Sequence, residues 1–121
     1  LMEINPESAN PIRNVSDTAL WVAVYRAMES ERKDALFHDP FARRLAGERG
    51  QAIVDAMPRG KELAWAMIVR TAVMDELILQ CIRDGATSVL NLAAGLDTRA
   101  YRLDLPASLH WYHVDFPPMV E

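Results

Sequence analysis

The chain has 121 residues, half of them hydrophobic and a quarter charged, with a formal net charge of -4. This length suits one small domain, and the negative charge argues against binding nucleic acid through phosphate neutralisation. No apolar run approaches the roughly 20 residues that span a bilayer, no signal peptide is recognisable, and the one cysteine excludes a disulfide framework. We therefore expect a cytoplasmic globular protein that binds neither nucleic acid nor a membrane.

The first segment, residues 1–15, contains two prolines and three asparagines and lacks periodicity. It predicts an irregular N-terminal arm, for which a disordered tail is an equally good interpretation. Ser16 and Asp17 then predict the cap of an amphipathic helix that runs to about Glu31. Arg26 is the one cation inside this helix, and its spacing alone favours a solvated surface arginine.

Residues 16–60 as a whole predict a helical region that precedes the sheet. Its later part predicts a helix from Asp39-Pro40 to Leu45, a loop bounded by Gly47 and Gly50, and a short helix over residues 51–57. The remaining residues, 61–121, predict a long helix followed by a strand–helix–strand unit.

The longest regular element is a predicted helix over residues 61–84, capped at its C-terminus by Gly85. Its apolar residues occur on most sides, which predicts that much of the helix is covered and that Cys81 is a small core residue. Arg70 interrupts an apolar stripe, where an unpaired charge is costly. Two interpretations are equally good: an ion pair with an aspartate such as Asp75, or a contact with an anionic ligand.

Residues 87–92 predict a strand buried on both faces, because the segment is nearly continuously apolar. A turn of small residues follows, Ala93-Ala94-Gly95, where the backbone can approach a ligand closely. Asp97 or Thr98 then caps a short helix, whose amides we expect to point towards that ligand.

A second strand is predicted over residues 110–115, which are rich in aromatic and β-branched residues. It ends at Asp115, which lies 20 residues after Gly95. In a strand–turn–helix–strand unit this spacing brings the carboxylate within reach of a ribose. His110 and His113 lie three residues apart in the strand, on opposite faces, so we expect no metal site.

Together these features predict a site for an adenosine-containing cofactor. The full G-x-G-x-x-G pattern, which serves the pyrophosphate of a dinucleotide, is absent, since Gly95 is the only glycine of the turn. S-adenosylmethionine has no phosphate and needs a partner for its carboxylate. Arg70, on the helix before the first strand, suits that role, so the sequence favours S-adenosylmethionine over NAD.

Residues 89–103, VLNLAAGLDTRAYRL, resemble the first motif of the leucine carboxyl methyltransferase-like family of S-adenosylmethionine-dependent methyltransferases. Residues 114–117 resemble the end of that family's second strand, and residues 68–71 resemble its arginine-bearing helix. Segments 16–19, 26–27 and 39–42 resemble its N-terminal helical region. The similarity extends over almost the whole chain from about Ser16.

The resemblance implies an α/β fold, in which a helical N-terminal lid precedes the first strand–helix–strand unit of a Rossmann-like sheet. It implies that Arg70 binds the methionine carboxylate, that the turn at Gly95 passes beneath the methionine portion, and that Asp115 binds the ribose hydroxyls. Arg26 is the candidate for a further basic residue near the cofactor carboxylate. Ala93 stands where many relatives have glycine. The methyl acceptor would be a carboxyl or hydroxyl oxygen of a small molecule or a protein.

Only two strands are recognisable, whereas a covered parallel sheet needs more. We therefore expect the chain to be the N-terminal part of a longer enzyme, inactive alone, whose open sheet edges favour a homo-oligomer or strand exchange. Two alternatives remain: a non-catalytic module that oligomerises or binds a partner, and a fragment of a dinucleotide-binding oxidoreductase.

Overall fold

The computed structural model describes residues 12–120, so most of the predicted N-terminal arm, residues 1–15, lies outside the described residues. The described elements combine five helices with a two-stranded parallel sheet. In chain order they are α1 (Val15–Ser30), α2 (Ala42–Ala56), α3 (Ala64–Arg83), β1 (Ser88–Leu92), α4 (Arg99–Arg102), β2 (His110–Val114) and α5 (Pro117–Val120).

Helix α1 confirms the first predicted helix, but its cap lies earlier in the chain than Ser16 and Asp17. The side chain of Asn14 accepts a hydrogen bond from the backbone N–H of Asp17 at 2.9 Å. The carboxylate of Asp17 accepts from the backbone N–H of Arg13 at 2.8 Å and pairs with Arg49 of α2 at 2.7 Å. Asp17 therefore joins α1 to α2 rather than capping α1.

Helix α2 includes both short helices predicted in this part of the chain, and a kink at Gly47 separates them, so the predicted break is confirmed at Gly47 while residues 48–50 are helical rather than a loop. Gly47 alone leaves helical geometry, with φ of 57° and ψ of -170°, and the helix then resumes. Gly50 is buried against α1, where an added Cβ would lie 3.0 Å from the carbonyl oxygen of Leu20. The close contact between the two helices explains why a glycine continues the helix here.

The core lies where α1, α2 and the start of α3 meet. The Tyr25 ring is fully buried there, and its hydroxyl donates a hydrogen bond to the carbonyl of Gly60 in the loop before α3. The buried apolar cluster consists of Ala23, Val24, Tyr25, Ala46, Val54 and Ala64, with Trp21, Met28, Met67 and Ile68 packed against it. This packing fixes α3, which borders the site, relative to α1.

Helix α3 begins at Ala64, three residues after its predicted start, and ends as predicted. Gly85 has φ of +107°, and its N–H donates to the carbonyl of Ile82 at 3.0 Å. The N–H of Ala86 donates to the carbonyl of Cys81 at 3.0 Å. These bonds form a C-terminal cap in which glycine supplies the left-handed residue.

The predicted burial of α3 is wrong over much of the helix. Trp65, Val69, Val73 and Leu77 recur at four-residue spacing and form an exposed apolar stripe; Trp65 is 67% exposed. Cys81 is exposed as well, so it is not a core residue. The physical reason is that α1 packs against only one side of α3, and no other described helix has an extensive contact with it.

Strands β1 and β2 pair in parallel, with Ser88 opposite His110 and Leu92 opposite Val114. The predicted order of strand, turn, helix and strand is thus confirmed. The predicted burial of β1 on both faces is wrong, because Leu90 is 63% exposed and Leu92 is 65% exposed. One face of the sheet is uncovered in the described part of the chain, although its sequence is apolar.

Candidate functional site

The turn after β1 is held against the end of β2 by two hydrogen bonds. The N–H of Ala94 donates to the carbonyl of Val114 at 3.3 Å, and the N–H of Gly95 donates to Oδ2 of Asp115 at 2.6 Å. The predicted spacing of 20 residues therefore brings Asp115 directly against the turn. The carboxylate also accepts from the N–H of Phe116 at 2.7 Å, which fixes its orientation.

Two residues of this turn have left-handed backbone conformations. Gly95 has φ of +54°, which glycine adopts without strain, and Ala93 has φ of +53°. A side chain with a Cβ pays about 1–2 kcal/mol in this region. Ala93 is therefore strained, which gives a physical reason for the glycine that the family resemblance implies at this position.

We expect the Ala93→Gly variant to be more stable than the wild type by about 0.5–1 kcal/mol, because relief of strain exceeds the added freedom of the unfolded chain. Urea denaturation monitored by circular dichroism measures the difference. Ala94→Gly is the matched control: Ala94 has no positive φ, so this variant should lose stability instead. An equal effect of the two substitutions would contradict strain at Ala93.

All six residues predicted for the cofactor line one cleft of about 490 Å³, a volume in the range of small-molecule sites. They are Arg26, Arg70, Ala93, Ala94, Gly95 and Asp115. Helix α1 forms one wall through Ala19 and Val22, α3 forms another, and the turn forms the floor. The structure thus gathers residues that lie up to 89 positions apart in the chain.

Arg70 is exposed on α3 and lines this cleft. The ion pair with Asp75 that its sequence position also suggested is not formed, because Asp75 pairs with two arginines of α4 instead. Within residues 12–120, Arg70 has no carboxylate partner. Its guanidinium is therefore available to an anion in the cleft.

Arg26 is buried, with 8% of its surface exposed, so the interpretation as a solvated surface arginine is wrong. Its Nε donates to Oδ2 of Asp39 at 2.8 Å, and its Nη2 donates to the carbonyl of Leu96 at 2.6 Å. The loop between α1 and α2 returns to α1, where the N–H of Asp39 donates to the Ser30 hydroxyl at 2.8 Å. This return brings a carboxylate to Arg26, which helical spacing alone does not reveal.

Beneath the turn lies an ion-pair network that sequence reasoning missed. Asp75 of α3 accepts from Arg99 at 2.7 Å and holds Arg102 through both carboxylate oxygens, at 2.7 and 2.8 Å. The side chain of Arg102 is only 4% exposed. The available signal was the spacing of two arginines three residues apart on α4, which places them on one helix face.

Of the two predicted capping candidates, Thr98 is the N-cap residue of α4 but makes no side-chain capping bond, and the carboxylate of the preceding residue, Asp97, bonds the first helical N–H instead. Its Oδ1 accepts from the N–H of Arg99 at 2.8 Å, and its Oδ2 accepts from the side chains of Asn91 and Arg99 at 2.9 and 2.7 Å. The expectation that the helix amides face a ligand is wrong for Arg99, because the Asp97 carboxylate occupies that N–H. Burial alone would raise the pKa of Asp97, but the hydrogen bonds and charge of Arg99 outweigh it and lower the pKa.

Asp39 shares this behaviour: burial opposes its ionisation, while hydrogen bonds from Thr98 and Arg26 lower its pKa below the usual value. A carboxyl whose pKa is lowered by folding contributes stability above the unfolded pKa and loses it as the pH falls through the folded pKa. We expect the free energy of unfolding to fall below about pH 4. Urea titrations at several pH values test this, and the Asp39→Asn protein should show a shallower acid loss than the wild type.

Within residues 12–120, no cluster of three or more His, Cys, Asp or Glu side chains is arranged to hold a metal ion. None of the helices in that range has both the length and the apolar content needed to cross a bilayer.

Comparison with known proteins shows which family the chain resembles along most of its length. The family model described as leucine carboxyl methyltransferase matches residues 19–121. A Streptomyces coelicolor protein named "Putative S-adenosyl-L-methionine-dependent methyltransferase" is 38% identical over 112 residues, which cover 86% of this chain and 40% of that protein. A Rhodococcus jostii protein of the same description is 36% identical over 126 residues, covering 99% of this chain and 43% of its own length.

The chain thus spans about two-fifths of the length of the curated relatives that it matches. The family match, by contrast, includes α2, α3 and both strands, and it contains the turn, Arg26, Arg70 and Asp115. Since it extends over most of the 121 residues, the chain belongs to the leucine carboxyl methyltransferase family.

Proposed function

We propose that this chain carries the cofactor half-site of an S-adenosylmethionine-dependent methyltransferase that acts on a carboxyl or hydroxyl oxygen. One observation carries the proposal: a cation with no carboxylate partner among residues 12–120, a small-residue turn and a strand-end carboxylate line the same cleft of about 490 Å³. Arg70 binds the methionine carboxylate, the turn at Gly95 allows close backbone approach, and Asp115 accepts from the ribose hydroxyls. The relatives' names support the choice of cofactor.

The structure also disfavours a dinucleotide in this cleft. A pyrophosphate is bound by free amides at a helix N-terminus, with the helix dipole behind them. Helix α4 has only four residues, and its first N–H is taken by the carboxylate of Asp97. A second negative charge at that position would be repelled, so the alternative of an oxidoreductase fragment has little support.

The sulfonium of the cofactor supplies a methyl group that is already activated for transfer. The protein's task is therefore mainly alignment, since a correct in-line geometry accounts for a large part of the rate enhancement. Arg70 and Asp115 lie on different elements, α3 and the end of β2, and in this proposal they bind groups on either side of the sulfonium, the carboxylate and the ribose. With both groups held, the position of the transferable methyl group is restricted.

We further propose that the chain is the N-terminal part of a longer enzyme with a Rossmann-like sheet. The exposed stripe on α3 and the open face of β1 support this, because apolar surfaces of that size are normally covered. The acceptor, a small molecule or a protein in the cytoplasm, would be bound by the rest of the enzyme. The purified 121-residue chain should then transfer no methyl group from S-adenosylmethionine to any acceptor. Detectable methyl transfer would contradict this expectation.

A second candidate, a non-catalytic assembly module, draws on the same exposed surfaces. Such a module would associate with a second copy through the sheet edges or through the α3 stripe. Sedimentation of the purified chain separates the two candidates. A tight oligomer that binds no cofactor favours the module, whereas cofactor binding favours the methyltransferase half-site.

The direct test of the half-site is calorimetry with S-adenosylhomocysteine and NAD. We expect the wild-type chain to bind the first and not the second. Arg70→Ala should weaken S-adenosylhomocysteine binding by about 10-fold or more, the loss of a charge-assisted hydrogen bond. Arg83→Ala is the matched control, since Arg83 is exposed on the same helix and does not line the cleft. If Arg70→Ala and Arg83→Ala bind S-adenosylhomocysteine with equal affinity, Arg70 does not contact the ligand.

A further inference from the structure

The carboxylate of Asp39 is a junction between the helical region and the turn. Its side chain is fully buried. Oδ1 accepts from the backbone N–H groups of Phe41 and Ala42 at 3.0 and 3.1 Å. Oδ2 accepts from Nε of Arg26 at 2.8 Å and from the hydroxyl of Thr98 at 2.6 Å. Four donors from three parts of the chain thus meet at one side chain.

These bonds complete a set of three attachments along the four residues 95–98. The first is the N–H of Gly95 on Asp115 at 2.6 Å, and the second is the carbonyl of Leu96 on Arg26 at 2.6 Å. The third is the hydroxyl of Thr98 on Asp39. Two of the three depend on Asp39, because that carboxylate also holds the guanidinium of Arg26.

We propose that Asp39 and Thr98 are positioning residues that fix the turn of the cleft and couple it to α1. Neither residue lines the cleft, so both act through Arg26 and the backbone of residues 95–98. The effect of these residues on cofactor affinity rests on the function proposed above, whereas their attachment of residues 95–98 to α1 does not. No local sequence pattern predicts the hydrogen bond between Thr98 and Asp39, because the two residues are 59 positions apart in the chain.

The hydroxyl of Thr98 allows a test that leaves the charge balance intact. Thr98→Val keeps the shape of the buried side chain and removes its donor, while Thr98→Ser keeps the donor. Thr87→Val is the matched control, because Thr87 is exposed immediately before β1. Circular dichroism and thermal unfolding establish that each variant is folded.

The attachment of the turn is measured by NMR of protein labelled with ¹⁵N-glycine, which gives a simple spectrum because the chain has only five glycines. In Thr98→Val the Gly95 amide should shift and exchange its hydrogen about 10-fold faster, while Gly47, Gly60 and Gly85 keep their wild-type signals. Thr98→Ser and Thr87→Val should resemble the wild type. An unmoved Gly95, or equally faster exchange at all five glycines, would show that Thr98 has only a general structural role and would overturn the proposal.

Calorimetry of the same variants tests the coupling to the cofactor. S-adenosylhomocysteine should bind Thr98→Val roughly 5- to 10-fold more weakly than the wild type, with affinity restored in Thr98→Ser. Unchanged affinity in Thr98→Val would overturn the coupling. If the wild type itself binds no S-adenosylhomocysteine, the proposed function fails and the coupling with it, while the glycine signals still decide whether Asp39 and Thr98 hold the turn.

Discussion

Replacing Asp75 with alanine is expected to lower the free energy of unfolding by about 3–5 kcal/mol. The side chain of Asp75 is 11% exposed and pairs with Arg99 and Arg102, whose side chains are 16% and 4% exposed. Its removal leaves two largely buried guanidinium groups without their shared carboxylate. Arg99 keeps its ion pair with Asp97 at 2.7 Å. Arg102, however, keeps only a 4.0 Å ion pair with Asp39, and its Nε has no hydrogen-bond partner among the described residues.

The neighbouring residue provides the control for this prediction. Glu76 has a 72% exposed side chain and an ion pair with Arg83 on the surface of the same helix. Exposed pairs of this kind contribute about 0–1 kcal/mol, so Glu76→Ala should be close to neutral. Urea denaturation of both variants gives the comparison. A loss below about 1 kcal/mol for Asp75→Ala would mean that the network beneath the turn does not stabilise the fold.

The second large effect is expected at Asp115, on binding rather than on stability. Both carboxylate oxygens accept one backbone N–H each and keep further acceptor capacity for a ribose diol. Asp115→Ala should therefore weaken S-adenosylhomocysteine binding by about 100-fold, the equivalent of two charge-assisted hydrogen bonds. Isothermal calorimetry measures the loss.

Two controls separate ribose recognition from a disturbed turn. Asp104→Ala removes an exposed carboxylate that does not line the cleft and should bind like the wild type. An analogue of S-adenosylhomocysteine without the 2′ and 3′ hydroxyls should bind the wild type and Asp115→Ala equally. If the variant instead loses affinity for both ligands by the same factor, Asp115 acts by holding Gly95 and not by contacting the ribose.

The parts of this structure that could be predicted from sequence depend on local signals. Gly85 ends α3 because a left-handed residue is needed there, and the apolar run before the turn forms the first strand. The spacing from Gly95 to Asp115 is set by a short parallel crossover, so the carboxylate meets the turn. These features need few contacts with distant residues, and the sequence contains them directly.

The parts that could not be predicted depend on contacts between distant segments. Arg26 is buried because the loop after α1 returns with Asp39, and helical periodicity carries no information about that path. The same holds for Asp75, whose partners lie on α4. The predicted burial of α3 is too high because apolar residues show only that burial of the helix would be favourable. Actual burial depends on whether other elements pack against it, and few described elements do.

A crystal structure of the chain with S-adenosylhomocysteine tests the central claim most directly, since it locates each part of the ligand. We predict that the ligand lies in the cleft between α1, α3 and the turn, with its carboxylate on Arg70 and its ribose hydroxyls on Asp115. Ligand bound elsewhere on the chain, or in the cleft with neither contact formed, would contradict the proposed half-site.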